Sequence, residues 1–106
     1  MNQIKDMHVK ASLREAILSL KNHDEYRRFL RDLLTEAEIK EFANRWKVAQ
    51  LLDQKVSYEE IEKETGMSST TIARVNKWLV NGKGGYKLML KRLKKVKLKN
   101  SKSLSL

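Results

Sequence analysis

The stretch from Ser57 to Val80, SYEEIEKETGMSSTTIARVNKWLV, admits few arrangements, because it holds two helix starts and one helix stop in a short span. Ser57 and Glu60 form the S-x-x-E pattern of a capping box, in which hydroxyl and carboxylate satisfy backbone N–H groups that a helix start leaves unpaired. A helix is therefore expected from about Tyr58. Gly66 supplies a residue that takes positive φ freely, and Ser68 can cap a second helix by accepting a hydrogen bond from an N–H two or three residues on. Ile61, Ile72 and Val75 then fall where two crossing helices need apolar contacts. Two short helices joined in this way make a helix-turn-helix. Ser68, Ser69, Thr70, Ala73 and Lys77 lie on the outward side of its second helix, where side chains can reach a major groove. With Thr71 and Arg74 they form the predicted DNA-contacting set. One position departs from the pattern: Glu62 stands where such motifs usually keep a small residue so that the helices can approach. The plainer alternative is a helical hairpin whose serines and threonines only cap.

Charge points the same way as the motif. The formal net charge is +10, yet residues 1–64 hold 12 Lys/Arg and 13 Asp/Glu, whereas residues 65–106 hold 11 Lys/Arg and no acid. The whole excess lies at and after the candidate recognition helix. A basic surface gains free energy by releasing counterions condensed on phosphate, whatever the base sequence. A lysine-rich segment with leucines can also rest on anionic lipid, but beside this motif nucleic acid is the better match. With 106 residues the chain has one domain's worth of protein, short enough for a partner subunit to complete its core. There is no cysteine, which excludes disulfides and cysteine-held zinc. No apolar run approaches a membrane span, and MNQIKDMHVK lacks an apolar signal core, so a soluble, cytoplasmic protein with no membrane partner is expected.

No proline, few glycines and apolar residues at three-and-four spacing predict an all-α domain. A first helix is expected from about Ser12 to Lys21, and a second from about Glu25 to Leu34 with Asp24 as its cap. Thr35 and Glu38 repeat the capping box and open the longest helix, about Glu36 to Asp53. It carries Ile39, Phe42, Ala43, Trp46, Val48, Ala49, Leu51 and Leu52, an arc too wide for one neighbour to cover, and homodimerisation is the economical solution. The segment Asn81-Gly82-Lys83-Gly84-Gly85 ends the recognition helix near residues 69–80. A basic amphipathic helix then runs from about Tyr86 to Lys97. The domain is taken as residues 1–97, with 98–106 a basic, disordered tail.

The runs LLTEAEIKEFANRWKVAQLL, SYEEIEKETGMSSTTIARVNKWL and NGKGGYKLML closely resemble the Trp-repressor-like family, in particular its YerC/YecD-type bacterial members. The match covers about Leu33 to Leu90. It includes the L-T that starts the long helix, an arginine within that helix, the S-x-x-E and E-x-G of the motif, and T-I-x-R in its second helix. The resemblance implies an all-α, intertwined homodimer with a helix-turn-helix on each subunit. It implies a bacterial, cytoplasmic transcriptional regulator, a repressor in the founding member, that binds double-stranded DNA in a sequence-specific way. In tryptophan-responsive members two arginines flank the indole and a threonine lines the pocket; Arg45, Arg74 and Thr35 stand at those places. The small glycine and serine of the pocket become Val75 and Trp78, whose side chains would fill the indole's volume. The expectation is therefore no cofactor, with tryptophan binding in doubt.

No catalytic constellation competes. His8 and His23 match no metal-ligand spacing, no pair of carboxylates is set across a cleft, and Gly82-Lys83-Gly84-Gly85 does not match a phosphate-binding loop. The chain is expected to be neither an enzyme nor a metalloprotein. The acids Glu59, Glu60, Glu62 and Glu64 read as a solvated face. The alternative from a different class is an RNA-binding or scaffold protein using the basic C-terminal surface without reading duplex sequence. RNA recognition relies on exposed aromatics, and Trp78 and Tyr86, the aromatics of the basic part, read as core residues.

Overall fold

The computed structural model describes residues 2–104, with side chains through Lys94. Six helices and no strand are present among the described residues. The chain divides into two compact units, Met1–Ile39 and Lys40–Leu106.

In the first unit α1 spans Gln3–Leu18 and α2 spans His23–Leu33. The first helix starts well before Ser12, because Asn2 caps it by accepting from the Ile4 N–H at 2.7 Å, and no glycine or proline interrupts the chain from there to Leu18. It ends before Lys21, where the Ser19 hydroxyl donates to the Ala16 carbonyl at 2.7 Å. Asn22, not Asp24, caps α2, accepting from the Glu25 N–H at 2.9 Å. Asp24 instead pairs with Arg27 at 2.8 Å and Arg28 at 3.4 Å. Neither helix buries a residue, and Ile4, Met7, Leu18 and Tyr26 are each more than half exposed. This unit has no core of its own.

Helix α3 spans Glu36–Asp53, as its capping box predicts. Thr35 Oγ1 accepts from the Glu38 N–H at 3.1 Å, and Glu38 accepts from the Thr35 N–H at 3.0 Å. The hydrogen bond from the Thr35 backbone N–H, with a further one from the Thr35 side chain, holds the Glu38 carboxyl below its usual range.

The second unit contains most of α3, then α4 (Tyr58–Thr65), α5 (Ser69–Asn81) and α6 (Gly85–Leu104). Its core joins Val48, Ala49 and Leu51 of α3 with Ile61 of α4 and Ile72 and Val75 of α5; Leu79 and Leu90 are also buried. Trp46 and Tyr86 are stacked with centroids 6.3 Å apart and pack on the edge of this core. The exit of α3 explains how the chain turns toward α4. Lys55 takes φ 65°, the Val56 N–H donates to the Leu51 carbonyl and the Lys55 N–H to the Leu52 carbonyl, each at 3.0 Å. This is a Schellman ending, with Val56 packed on the core and a lysine in the left-handed position that glycine usually fills. The strain of roughly 1 kcal/mol at Lys55 is offset by satisfied carbonyls and the burial of Val56.

Helix α6 continues to Leu104, past the expected end at Lys97 and through most of the segment expected to be a disordered tail. With no proline or glycine after Gly85 and mainly lysine, leucine and arginine to Lys99, the composition favours helix propagation. Ser105 and Leu106, and the side chains from residue 95 on, lie outside the described residues.

Candidate nucleic-acid interface

The helix-turn-helix is built by local devices. Ser57 Oγ accepts from the Glu60 N–H at 3.3 Å and starts α4; the Glu60 carboxylate faces Lys63 at 3.7 Å, so only the serine half of that box forms. Gly66 adopts φ 71° and its N–H donates to the Glu62 carbonyl at 2.8 Å, closing α4 in the left-handed geometry its sequence predicts. Ser68 Oγ accepts from the Thr71 N–H at 3.2 Å and starts α5. The Thr65 hydroxyl ties the turn from inside, donating to the Ile61 carbonyl at 2.7 Å while accepting from the Met67 N–H at 3.2 Å. Ile61 and Ile72, both fully buried, lock the two helices together. Glu62 is half-buried, and its bulk leaves this packing intact.

The outward face of α5 is as expected for Ser69, Thr70, Ala73, Arg74 and Lys77, all exposed. Ser68 and Thr71 have a different duty. Their side-chain oxygens lie 3.1 Å apart within the cap, and Thr71 is half-buried, so both hydroxyls are already engaged in starting the helix. Arg74 makes no ion pair or side-chain hydrogen bond among the described residues, and the Lys77 ammonium sits 5.7 Å from the centroid of the Trp78 ring. The face is cationic and free of acids. Helix α4, by contrast, holds Glu59, Glu60, Glu62 and Glu64 against Lys63 alone, so the two helices of the motif carry opposite charge.

The residues matched to an effector pocket are each held differently. Thr35 is occupied in the α3 cap. Arg45 pairs with Glu41 at 3.3 Å, one turn back on its own helix, and its guanidinium lies 5.7 Å from the Phe42 ring centroid. Val75 is 3% exposed and belongs to the core. Trp78 does not: it is 53% exposed, in contrast to its expected place in the interior. It lines an open groove of about 450 Å³ with Trp46, Tyr86 and Met89, which the sequence alone did not indicate because its walls come from three helices.

Residues 9–94 match the family described as Trp repressor protein. The chain belongs to the Trp repressor family. This is a family of DNA-binding regulators, not of enzymes. Over 86 residues the chain is 42% identical to "Uncharacterized protein YerC" of Bacillus subtilis (strain 168), covering 81% of this chain and 83% of that one. Its fold is similar to the crystal structure of a TrpR-like protein from Eubacterium eligens ATCC 27750, with TM-score 0.81 and 38% identity over 87% of this chain and 95% of that chain. A putative Trp repressor from Staphylococcus aureus is similar too, with TM-score 0.79 and 35% identity over 89% and 96% of the respective chains. The all-α Trp-repressor-like fold and the helix-turn-helix within it thus agree with the sequence expectation. No helix among the described residues is long and apolar enough to cross a membrane.

Proposed function

We propose that this member of the Trp repressor family is a cytoplasmic transcriptional regulator that binds double-stranded DNA as a homodimer, inserting α5 into the major groove of a roughly two-fold operator. The observation that carries this reading is the exposed face of α5, where Ser69, Thr70 and Ala73 offer short groups to base edges and Arg74 and Lys77 offer cations to phosphates. Repression is the expected outcome of occupying such a site. Selection of sites from random duplex DNA tests the reading: enrichment of a two-fold sequence supports it, and recovery of an unchanged random pool contradicts it. The homodimer is supported by the first unit, which exposes the apolar side chains of two helices while burying none.

Free tryptophan is not the effector in this reading. Val75 and Trp78 replace the glycine and serine of tryptophan-responsive members, and a valine at 3% exposure cannot yield its volume without opening the core. Operator binding is then constitutive or answers to another signal. Calorimetry at millimolar tryptophan is expected to give no saturable heat. A saturable site that tightens operator binding and is lost in Arg74→Ala would contradict the closed pocket.

A further inference from the structure

Lys55 is the one residue other than glycine with a positive φ among the described residues, and it lies at the entrance to the helix-turn-helix. Glycine adopts φ 65° without strain and asparagine tolerates it, so nothing in the turn itself calls for a lysine. Pairing within the chain does not call for one either. From Val48 to Glu62 Lys55 is the only basic residue, among Asp53, Glu59, Glu60 and Glu62. It nevertheless makes no ion pair among the described residues, for Asp53 is held by Lys94 at 2.7 Å and Glu60 faces Lys63 at 3.7 Å. The backbone that carries it is pinned on both sides, by the Lys55 and Val56 N–H groups bonded to the end of α3 and by the Ser57 cap that starts α4. An exposed, unpaired cation therefore stands at a fixed point two residues before the cap of the motif's first helix.

We propose that Lys55 is a duplex-binding residue outside the recognition helix, its ammonium contacting a backbone phosphate that flanks the groove α5 enters. The inference rests on the duplex reading and adds a contact to it. A left-handed conformation kept on a long side chain, where glycine is free of strain, points to a use for that side chain. In a helix-turn-helix the first helix crosses the sugar-phosphate backbone while the second lies in the groove, which brings phosphates to the entrance of α4. Phosphate is also the anion that Lys55 lacks within its own chain. Set among the carboxylates of α4, the cation offsets their repulsion of the duplex instead of extending the basic face of α5. A lysine meets phosphate as a point charge and reads no base, so its contribution is the same on every sequence. Lys55 belongs to a polar turn and not to the apolar surfaces on which dimerisation rests.

The test separates charge from backbone with three variants of the full chain, titrated across a salt series on a selected duplex and on a scrambled duplex of equal length. Lys55→Ala removes the cation and keeps the left-handed strain, Lys55→Gly removes both, and Lys55→Arg keeps both. Lys55→Ala and Lys55→Gly are each expected to make the log–log slope of the dimer shallower by about 1.8, at 0.9 for each phosphate lost, so that the affinity deficit is about 12-fold larger at 50 mM salt than at 200 mM. The deficit should be equal on the two duplexes, and Lys55→Arg should bind like wild type. Thermal stability should follow the backbone instead: Lys55→Gly melts above wild type, and Lys55→Ala does not. A wild-type slope retained in Lys55→Ala overturns the proposal and leaves the reading by α5 untouched. A wild-type protein with no preference between the duplexes, whose slope Lys55→Ala still lowers, supports the contact and sinks the reading by α5. Loss of the dimer in Lys55→Ala on sedimentation overturns the proposal, because the lysine would then serve the subunit interface. Absence of duplex binding by the wild-type protein overturns both.

Discussion

Raising salt from 50 to 200 mM is expected to weaken duplex binding by about 10³, the loss that about six neutralised phosphates produce through a log–log slope near −0.9 for each. Three cations per subunit reach that number in a dimer. Arg74 and Lys77 supply two, and Lys83, just beyond the end of α5, is an exposed third. The acidic residues of α4 oppose this attraction, which limits the total to well below what the net charge of +10 suggests. Anisotropy titrations across a salt series measure the slope. Truncation before Lys94 should lower affinity and slope alike on every duplex, since lysines of α6 can meet phosphates but not base edges. A slope shallower than about −2 would contradict a phosphate-dominated interface.

The second large effect concerns association. Sedimentation of the full chain is expected to give a dimer at micromolar concentration, and Phe42→Asp to weaken dimerisation by at least about 30-fold, as loss of a buried aromatic anchor does. Phe42 is the appropriate probe because it is 49% exposed within the chain and makes no part of the core. Trp46→Asp breaks more than association. Trp46 stacks on Tyr86 and packs against the core of its own subunit, so a carboxylate there would destabilise the second unit directly. A monomer mass in the wild-type protein would contradict the dimer.

How far the sequence discloses this molecule depends on which interaction governs each element. The helix starts at Thr35, Ser57 and Ser68 and the left-handed Gly66 can be read directly, because capping and turn chemistry act over three or four residues. The contact between Ile61 and Ile72 is readable for the same reason. Asn2 and Asn22 are equally local caps, but no apolar period comes after Asn2, and Asp24 offers a competing cap next to Asn22. Lys55 gives no signal. Its positive φ is imposed by the burial of Val56, a tertiary cause, and a lysine is not the residue that turn chemistry marks. Helical spacing misplaces Trp78 because it says which residues share a face and not whether another helix covers it; here α5 turns its Val75 to the core and leaves Trp78 at the rim of a groove. Polarity alone assigns Ser68 and Thr71 to the interface, whereas each hydroxyl is taken by the cap.

The proposed function requires that α5 read bases through the short side chains on its outward face. The decisive measurement compares wild type with Thr70→Ala on a duplex obtained by selection and on a scrambled duplex of equal length, at one salt concentration. Loss of a base-edge contact is expected to cost about 1–3 kcal/mol on the selected site, or roughly 5-fold to 150-fold, and almost nothing on the scrambled one. Equal losses on both duplexes, or no loss on either, with sequence preference removed by shortening α6 instead, would contradict α5 as the recognition helix.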